Sequence, residues 1–92
     1  MESFMGMPCQ VNSILKLNSS QGYPSKLELN TTHQVKKSEY RIIPIDVPIP
    51  LVDQHWVAYA DVTIAKLTWQ NGETHITFSI SRIYEQPFLS KS

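Results

Sequence analysis

The side chains able to do chemistry are few and dispersed. His33, His55, His75 and Cys9 are the strongest ligands and bases in this 92-residue chain. Asp53 stands two residues before His55, a spacing that puts both on one face of a strand. A carboxylate and an imidazole so placed can share a cation or pass a proton. Zinc sites, however, announce themselves by paired cysteines or by two histidines one helical turn apart, and neither spacing occurs. With no third ligand in register, Asp53-Gln54-His55 reads as a polar turn before Trp56. His75 sits beside Thr68 and Thr77 on the polar side of a strand pair and reads as a solvated neighbour. Cys9 follows Pro8 with no base nearby in sequence, so it reads as a small apolar side chain. No Gly-x-Ser-x-Gly elbow and no glycine-rich phosphate cradle is present, in a chain with only three glycines. Asp46, Asp53, Asp61, Glu73 and Glu85 are scattered where acid–base catalysis needs a facing pair. The expectation is a protein that is not an enzyme and holds no metal or cofactor.

Composition narrows the classes further. Eight Lys and Arg balance eight Asp and Glu, so the formal net charge is zero. Such a chain has no overall field to concentrate phosphate, which removes the usual drive for non-specific nucleic-acid binding. Apolar residues make up 41 % and charged residues 17 %, the balance of a folded domain rather than a solvated tail. A single cysteine allows no internal disulfide. No apolar run approaches the ~20 residues that cross a bilayer. "MESFMGMPCQ" lacks a basic start and a long apolar stretch, so the expected location is cytoplasmic, away from membranes. One domain over 1–92 is expected, with 1–7 and 86–92 as loose ends.

What positions these residues is a set of strands. Apolar side chains recur at period two, and no segment keeps helical spacing for three turns. A first strand is expected over 9–17, with Val11, Leu15 and Leu17 on one face. "NSSQGYPS" (18–25) is a loop by its Gly, Pro and Ser content. "KLELN" (26–30) alternates as a short strand with Leu27 and Leu29 inward. The polar stretch 31–39 reads as a connection with room for a turn of helix. In "RIIPIDVPIP" (41–50) three prolines fall on even positions, while Ile43, Ile45, Val47 and Ile49 fall on odd ones, followed by Leu51. Alternate amides of a strand point to opposite edges, so all the missing donors belong to one edge. The segment reads as an edge strand protected from unwanted pairing, with a polyproline-like segment as the alternative.

The clearest element is a hairpin over 56–84. Asn71-Gly72 lies between two β-rich runs, the signal of a two-residue type I′ turn. Setting Gln70 opposite Glu73 puts Trp69 against Thr74, Leu67 against Ile76, Ala65 against Phe78, Thr63 against Ile80 and Asp61 against Arg82. Further out, Val62 and Ile64 fall on the opposite face, and either a β-bulge near Ala65 or burial of both faces in a strongly coiled strand would reconcile them. The expected fold is therefore all-β: a small, strongly bent sheet or barrel of five or six mostly antiparallel strands with a long C-terminal hairpin. The expected core is Leu67, Ile76, Phe78 and Ile80 packed on Ile43, Ile45 and Val47.

"MGMP" (5–8), "YRIIPIDVPI" (40–49) and "ADVTIAKLTWQNGETHITFSI" (60–80) resemble, in this order, a family of short proteins from Bacillus-type bacteria known as a domain of unknown function. The proline-spaced strand is the most specific part. The resemblance implies a small cytosolic β protein and brings no catalytic residues with it.

Two functions survive elimination. The first is a protein-interaction or self-association module, with a homodimer as its simplest form. Its candidate surface is Pro44, Pro48 and Pro50 on the strand, with Phe88 and Leu89 in the tail, which leave apolar area to cover. The alternative is a small barrel that binds single-stranded nucleic acid by stacking bases on rings and tracking phosphates with cations. Tyr40, Arg41, Trp56, Tyr59, Lys66 and Arg82 are its candidates. It ranks second, because no RNA-binding string occurs and the rings are expected in any small β core.

Overall fold

Asn71 and Gly72 both take positive φ (54° and 76°), as a type I′ turn requires. They join β6 (Val57–Gln70) to β7 (Glu73–Leu89), the two strands on which everything else is laid. The structure, a computed structural model, describes residues 9–90. Seven strands occur among these: β1 (Cys9–Val11), β2 (Leu15–Lys16), β3 (Thr32–Ser38), β4 (Tyr40–Ile42), β5 (Pro48–Val52), β6 and β7. Five of them form one sheet in the order β2-β5-β6-β7-β3, and β1 pairs with β4 in a small second sheet. Within the larger sheet only the two-residue contact of β2 with β5 is parallel.

The hairpin register is the expected one near the turn, and then it shifts. Leu67 faces Ile76 and Lys66 faces Thr77, but Phe78 faces Ile64, which leaves Ala65 as a bulge. Ile80 in turn faces Val62. The expected pairs Ala65–Phe78 and Thr63–Ile80 are therefore displaced by one residue, as a single inserted residue must do. Ala65 is exposed, and beyond it Ile64, Val62, Ala60 and Ala58 all point inward with no solvent exposure. A second bulge, at Ser81, restores the original count, so Asp61 does face Arg82.

The proline segment is a strand only in its second half. β5 pairs with β6 as Pro48–Thr63, Ile49–Val62, Pro50–Asp61 and Leu51–Ala60. Pro48 and Pro50 have no amide hydrogen, so Ile49 and Leu51 must supply the ladder donors, and the prolines mark the outer edge. β2 meets that edge only at Leu51 and Val52, beyond the last proline. Residues 43–47 do not continue the strand. Asp46 takes φ 65° and donates its amide to the Ile64 carbonyl at 3.0 Å, which turns the chain. Ile43 is buried as expected, whereas Ile45 and Val47 are each 46 % exposed and leave the core.

Three other assignments change. Residues 9–17 split into β1 and β2, so Leu15 and Leu17 are buried while Val11 is exposed. Residues 26–30 form no strand; Asn30 takes φ 65°, Leu27 packs on the core and Leu29 is exposed. The "polar connection" is β3, paired along seven residues with β7. At the C-terminus, 86–89 continue β7, with Ala58 facing Phe88 and Val57 facing Leu89. Residues 1–7 lie outside the described residues.

The core is continuous across both ends of the sheet, joining Leu15 and Leu17 to Val35 through Ile49, Leu51, Ile64, Ile76 and Phe78. The sheet bends so far that its edges approach one another: the Lys37 ammonium of β3 donates to the Lys16 carbonyl of β2. A 3-10 turn (Ser19–Gln21) braces the gap, capped by Asn18 with reciprocal bonds of 3.0 Å to Gln21. Gly22, at φ 105°, then passes so close to β3 that a Cβ would lie 2.8 Å from Val35 Cγ1. The edges remain unpaired by backbone, so this is a bent open sheet and not a closed barrel. Phe78 sits at the centre with no exposure and its ring 5.4 Å from that of His33. Truncation of Phe78 to Ala is expected to cost about 3–5 kcal/mol in denaturant unfolding. A variant melting within a degree or two of wild type would remove Phe78 from the core.

Candidate interaction surface

The residues able to do chemistry are held apart by the fold. Asp53 Oδ1 accepts the amides of His55 (2.9 Å) and Val57 (3.0 Å), and the Asp53 amide donates to the Val57 carbonyl. The carboxylate thus shapes the turn between β5 and β6, the bland reading of Asp53-x-His55. His75 lies 3.6 Å from Glu73, and His33 pairs with the Thr31 hydroxyl at 2.9 Å. Among the described residues, no three His, Cys, Asp or Glu side chains gather as a metal site would need.

Asp61 and Arg82 are cross-strand neighbours, but their charges are spent on a third residue. Tyr84 donates its hydroxyl to Asp61 Oδ1, and the Arg82 guanidinium lies 5.7 Å from the Tyr84 ring centre. Partial burial, reinforced by that bond, raises the Tyr84 hydroxyl above its ordinary pKa. Phe88 stacks on Tyr84 at 5.3 Å. The geometry comes from a large register shift: Ala60 faces Ile83 while Ala58 faces Phe88, so residues 84–87 stand opposite Tyr59 alone. That wide bulge leaves an open hollow of about 760 Å3 lined by Arg82, Glu85 and Gln86 among others. Bulges of this kind aim side chains away from the sheet.

The residues expected to form an interaction surface are partly brought together. Pro50 pairs with Asp61, which holds Tyr84, on which Phe88 stacks. Pro48 is exposed on the same sheet face, and Leu89, 71 % exposed, ends the arm. Pro44 stands apart, exposed in the loop before Asp46. The residues of the nucleic-acid alternative are spread over a molecule 44 Å long. Tyr40 accepts the Gly72 amide at 3.0 Å and so ties β4 to the hairpin tip, while the Arg41 side chain donates to the Ser38 carbonyl and to Asn12 Oδ1, at the end of β3 and just after β1. Trp56 lies at the far end with the Lys16 ammonium 4.7 Å from its ring centre. Tyr59 is opposite the wide bulge. Lys66 and Arg82 share the polar sheet face, about five residues apart along the strands, or ~17 Å at the rise of a β-strand.

Sequence reasoning missed Trp69, Ile42, Ile45, Val47 and Val11 as surface. The indole N–H of Trp69 donates to the Arg41 carbonyl at 2.8 Å while half its area stays exposed. Its hydrophobicity alone gave no sign of this, because an apolar residue at an inward parity reads as core.

The polar side of the core has one charge out of place. Lys37 points inward across the gap to β2, and burial, with the charges of Arg41 and Lys16 next in order, lowers its pKa to about 8. The unfolded chain keeps an ordinary lysine near 10.5. Below about pH 8 both states bind the proton and the full cost of the half-buried charge is present. Between these values the unfolded state binds more protons, so stability rises with pH. Lys37→Met should therefore be most favourable relative to wild type near pH 7, with the advantage shrinking by pH 10. Equal differences in urea midpoint at the two pH values would show that Lys37 is not perturbed.

An open, strongly curved β-sheet with exposed apolar residues at both ends defines a small β-domain built around one hairpin. The chain belongs to the family described as Domain of unknown function (DUF2584), whose model matches residues 5–84. Its structure is similar to the crystal structure of protein ytmB from Bacillus subtilis, with a TM-score of 0.71 and 22 % identity, covering 87 % of this chain and 95 % of that one. At that identity the likeness establishes the fold. No curated protein matches.

Proposed function

We propose that the protein is a non-catalytic, cytoplasmic interaction module that acts by binding protein, another copy of itself included. The observation that supports this most is the exposure of large apolar side chains on a chain without net charge. Phe88 is 46 % and Leu89 71 % exposed at the end of β7 beyond the wide bulge, and Trp69 is 50 % exposed. Rings and aliphatic groups left in water at fixed positions favour burial against a partner, at about 25 cal/mol per Å2 covered. The neutral surface removes the repulsion that keeps charged domains apart. A strand binder needs rings and cations left open to bases and phosphates, and here the ring–cation neighbours, Arg82 on Tyr84 and Lys16 on Trp56, are partnered with each other.

Titration with labelled single-stranded RNA and DNA at low and moderate salt separates the two readings. The expected result is no sub-micromolar binding. Affinity in that range that falls steeply with salt would replace the interaction reading with the nucleic-acid one.

A further inference from the structure

At the hairpin tip, some 40 Å along β6 from Leu89 at the strand rise, lies a second apolar surface. Val11 (77 % exposed) and Ile42 (47 %) are adjacent in the β1–β4 register. Trp69 (50 %) is tied to the same strand by its bond to the Arg41 carbonyl. Ile45 and Val47 flank Asp46, which the Ile64 carbonyl pins to β6. These bonds lay β4 across the hairpin tip and pin the 43–47 loop to β6 at Ile64, so the strip follows the segment 42–47, with Val11 and Trp69 at its tip end.

We propose that this strip is the contact face of a symmetric homodimer with Trp69 as its anchor, a proposal that rests on the interaction reading above. The exposed parts of five such side chains amount to on the order of 500 Å2. That is the upper range for an apolar patch on a monomer, and over half of the ~800 Å2 each partner gives to a standard interface. A polar rim supplies the rest. The backbone beneath the strip is already fixed by the Trp69 and Asp46 bonds, so little ordering entropy is lost on contact. A second copy also fits the zero net charge, because identical chains then meet without repulsion. Pairing through the free edge of β3 is the weaker route, since Lys36 on that strand is the kind of charge that discourages edge addition.

Sedimentation velocity over a concentration series tests this, with Ile45→Glu and Val47→Glu as variants on an exposed loop and circular dichroism to confirm their fold. Wild type should dimerise at micromolar concentration. Each variant should weaken association at least tenfold, and Leu89→Glu at the opposite end should leave it unchanged. A dimer unaffected by Ile45→Glu and Val47→Glu but lost in Leu89→Glu would overturn this face and leave the interaction reading standing. A wild type that stays monomeric at hundreds of micromolar would overturn the homodimer, whereas the interaction reading itself falls to salt-sensitive nucleic-acid binding.

Discussion

One inserted residue governs the architecture. β6 is 14 residues long and must be apolar on one face, yet its inward set runs on even numbers from Ala58 to Ile64 and changes parity at Leu67. A flat strand would expose one of these sets, at roughly 1.5–3 kcal/mol for each large side chain left in water. Bulging Ala65 outward flips the parity and puts both sets under the sheet. The extra residue also adds local twist and bend, which is how a sheet of five strands wraps a core that would otherwise be open on one side. The close approach of β2 to β3, the Lys37 clasp and the packing of Leu15 and Leu17 on Val35 all depend on that curvature.

The same bend explains where the loop 43–47 goes. At the bulge the Ile64 carbonyl accepts the Asp46 amide in place of a regular ladder partner. Asp46 tolerates a positive φ better than a branched residue would, and Pro44 offers no competing donor. The loop is thereby held flat on β6 with Ile43 turned in and Ile45 and Val47 turned out. A structural device that completes the core thus creates apolar surface beside it.

Much of this was legible from the residues, and the failures share a cause. The turn, the register near it and the bulge near Ala65 followed from local signals, since Asn-Gly accepts positive φ and parity counts faces. The lack of pairing on the outer side of Pro48 and Pro50 followed from the missing amide, although β2 and not β5 ends the sheet, pairing at Leu51 and Val52. What parity could not show was where a strand stops. Ile43 to Leu51 alternates without a break, and only the tertiary bond to Ile64 ends the pattern at Asp46. β3 hid for the opposite reason. Its inward residues are His33, Val35 and Lys37, of which one is aliphatic, because the histidine ring packs at a tilt against Phe78 and the lysine closes the gap to β2. The Tyr84–Phe88–Asp61 cluster was equally hidden, since a bulge of residues 84–87 against Tyr59 brings together side chains that simple counting separates.

The distribution of polar groups separates the parts of the molecule held by side-chain-to-backbone bonds from the exposed apolar surface. Buried Thr74 accepts the Arg41 amide at 2.9 Å and donates to the Glu39 carbonyl at 2.8 Å, and these bonds are what allow β4 to cross the hairpin tip without an orphaned backbone group. Asp53, Asn18 and Tyr40 do the same for their turns. In each case the polar side chain holds backbone, which makes the turn rigid. Rigid backbone beneath exposed apolar side chains is the arrangement in which association loses least entropy, whether the cover is a second copy or another protein. Asp53, which the sequence offers as a partner for His55, is in this fold a support of the turn between β5 and β6.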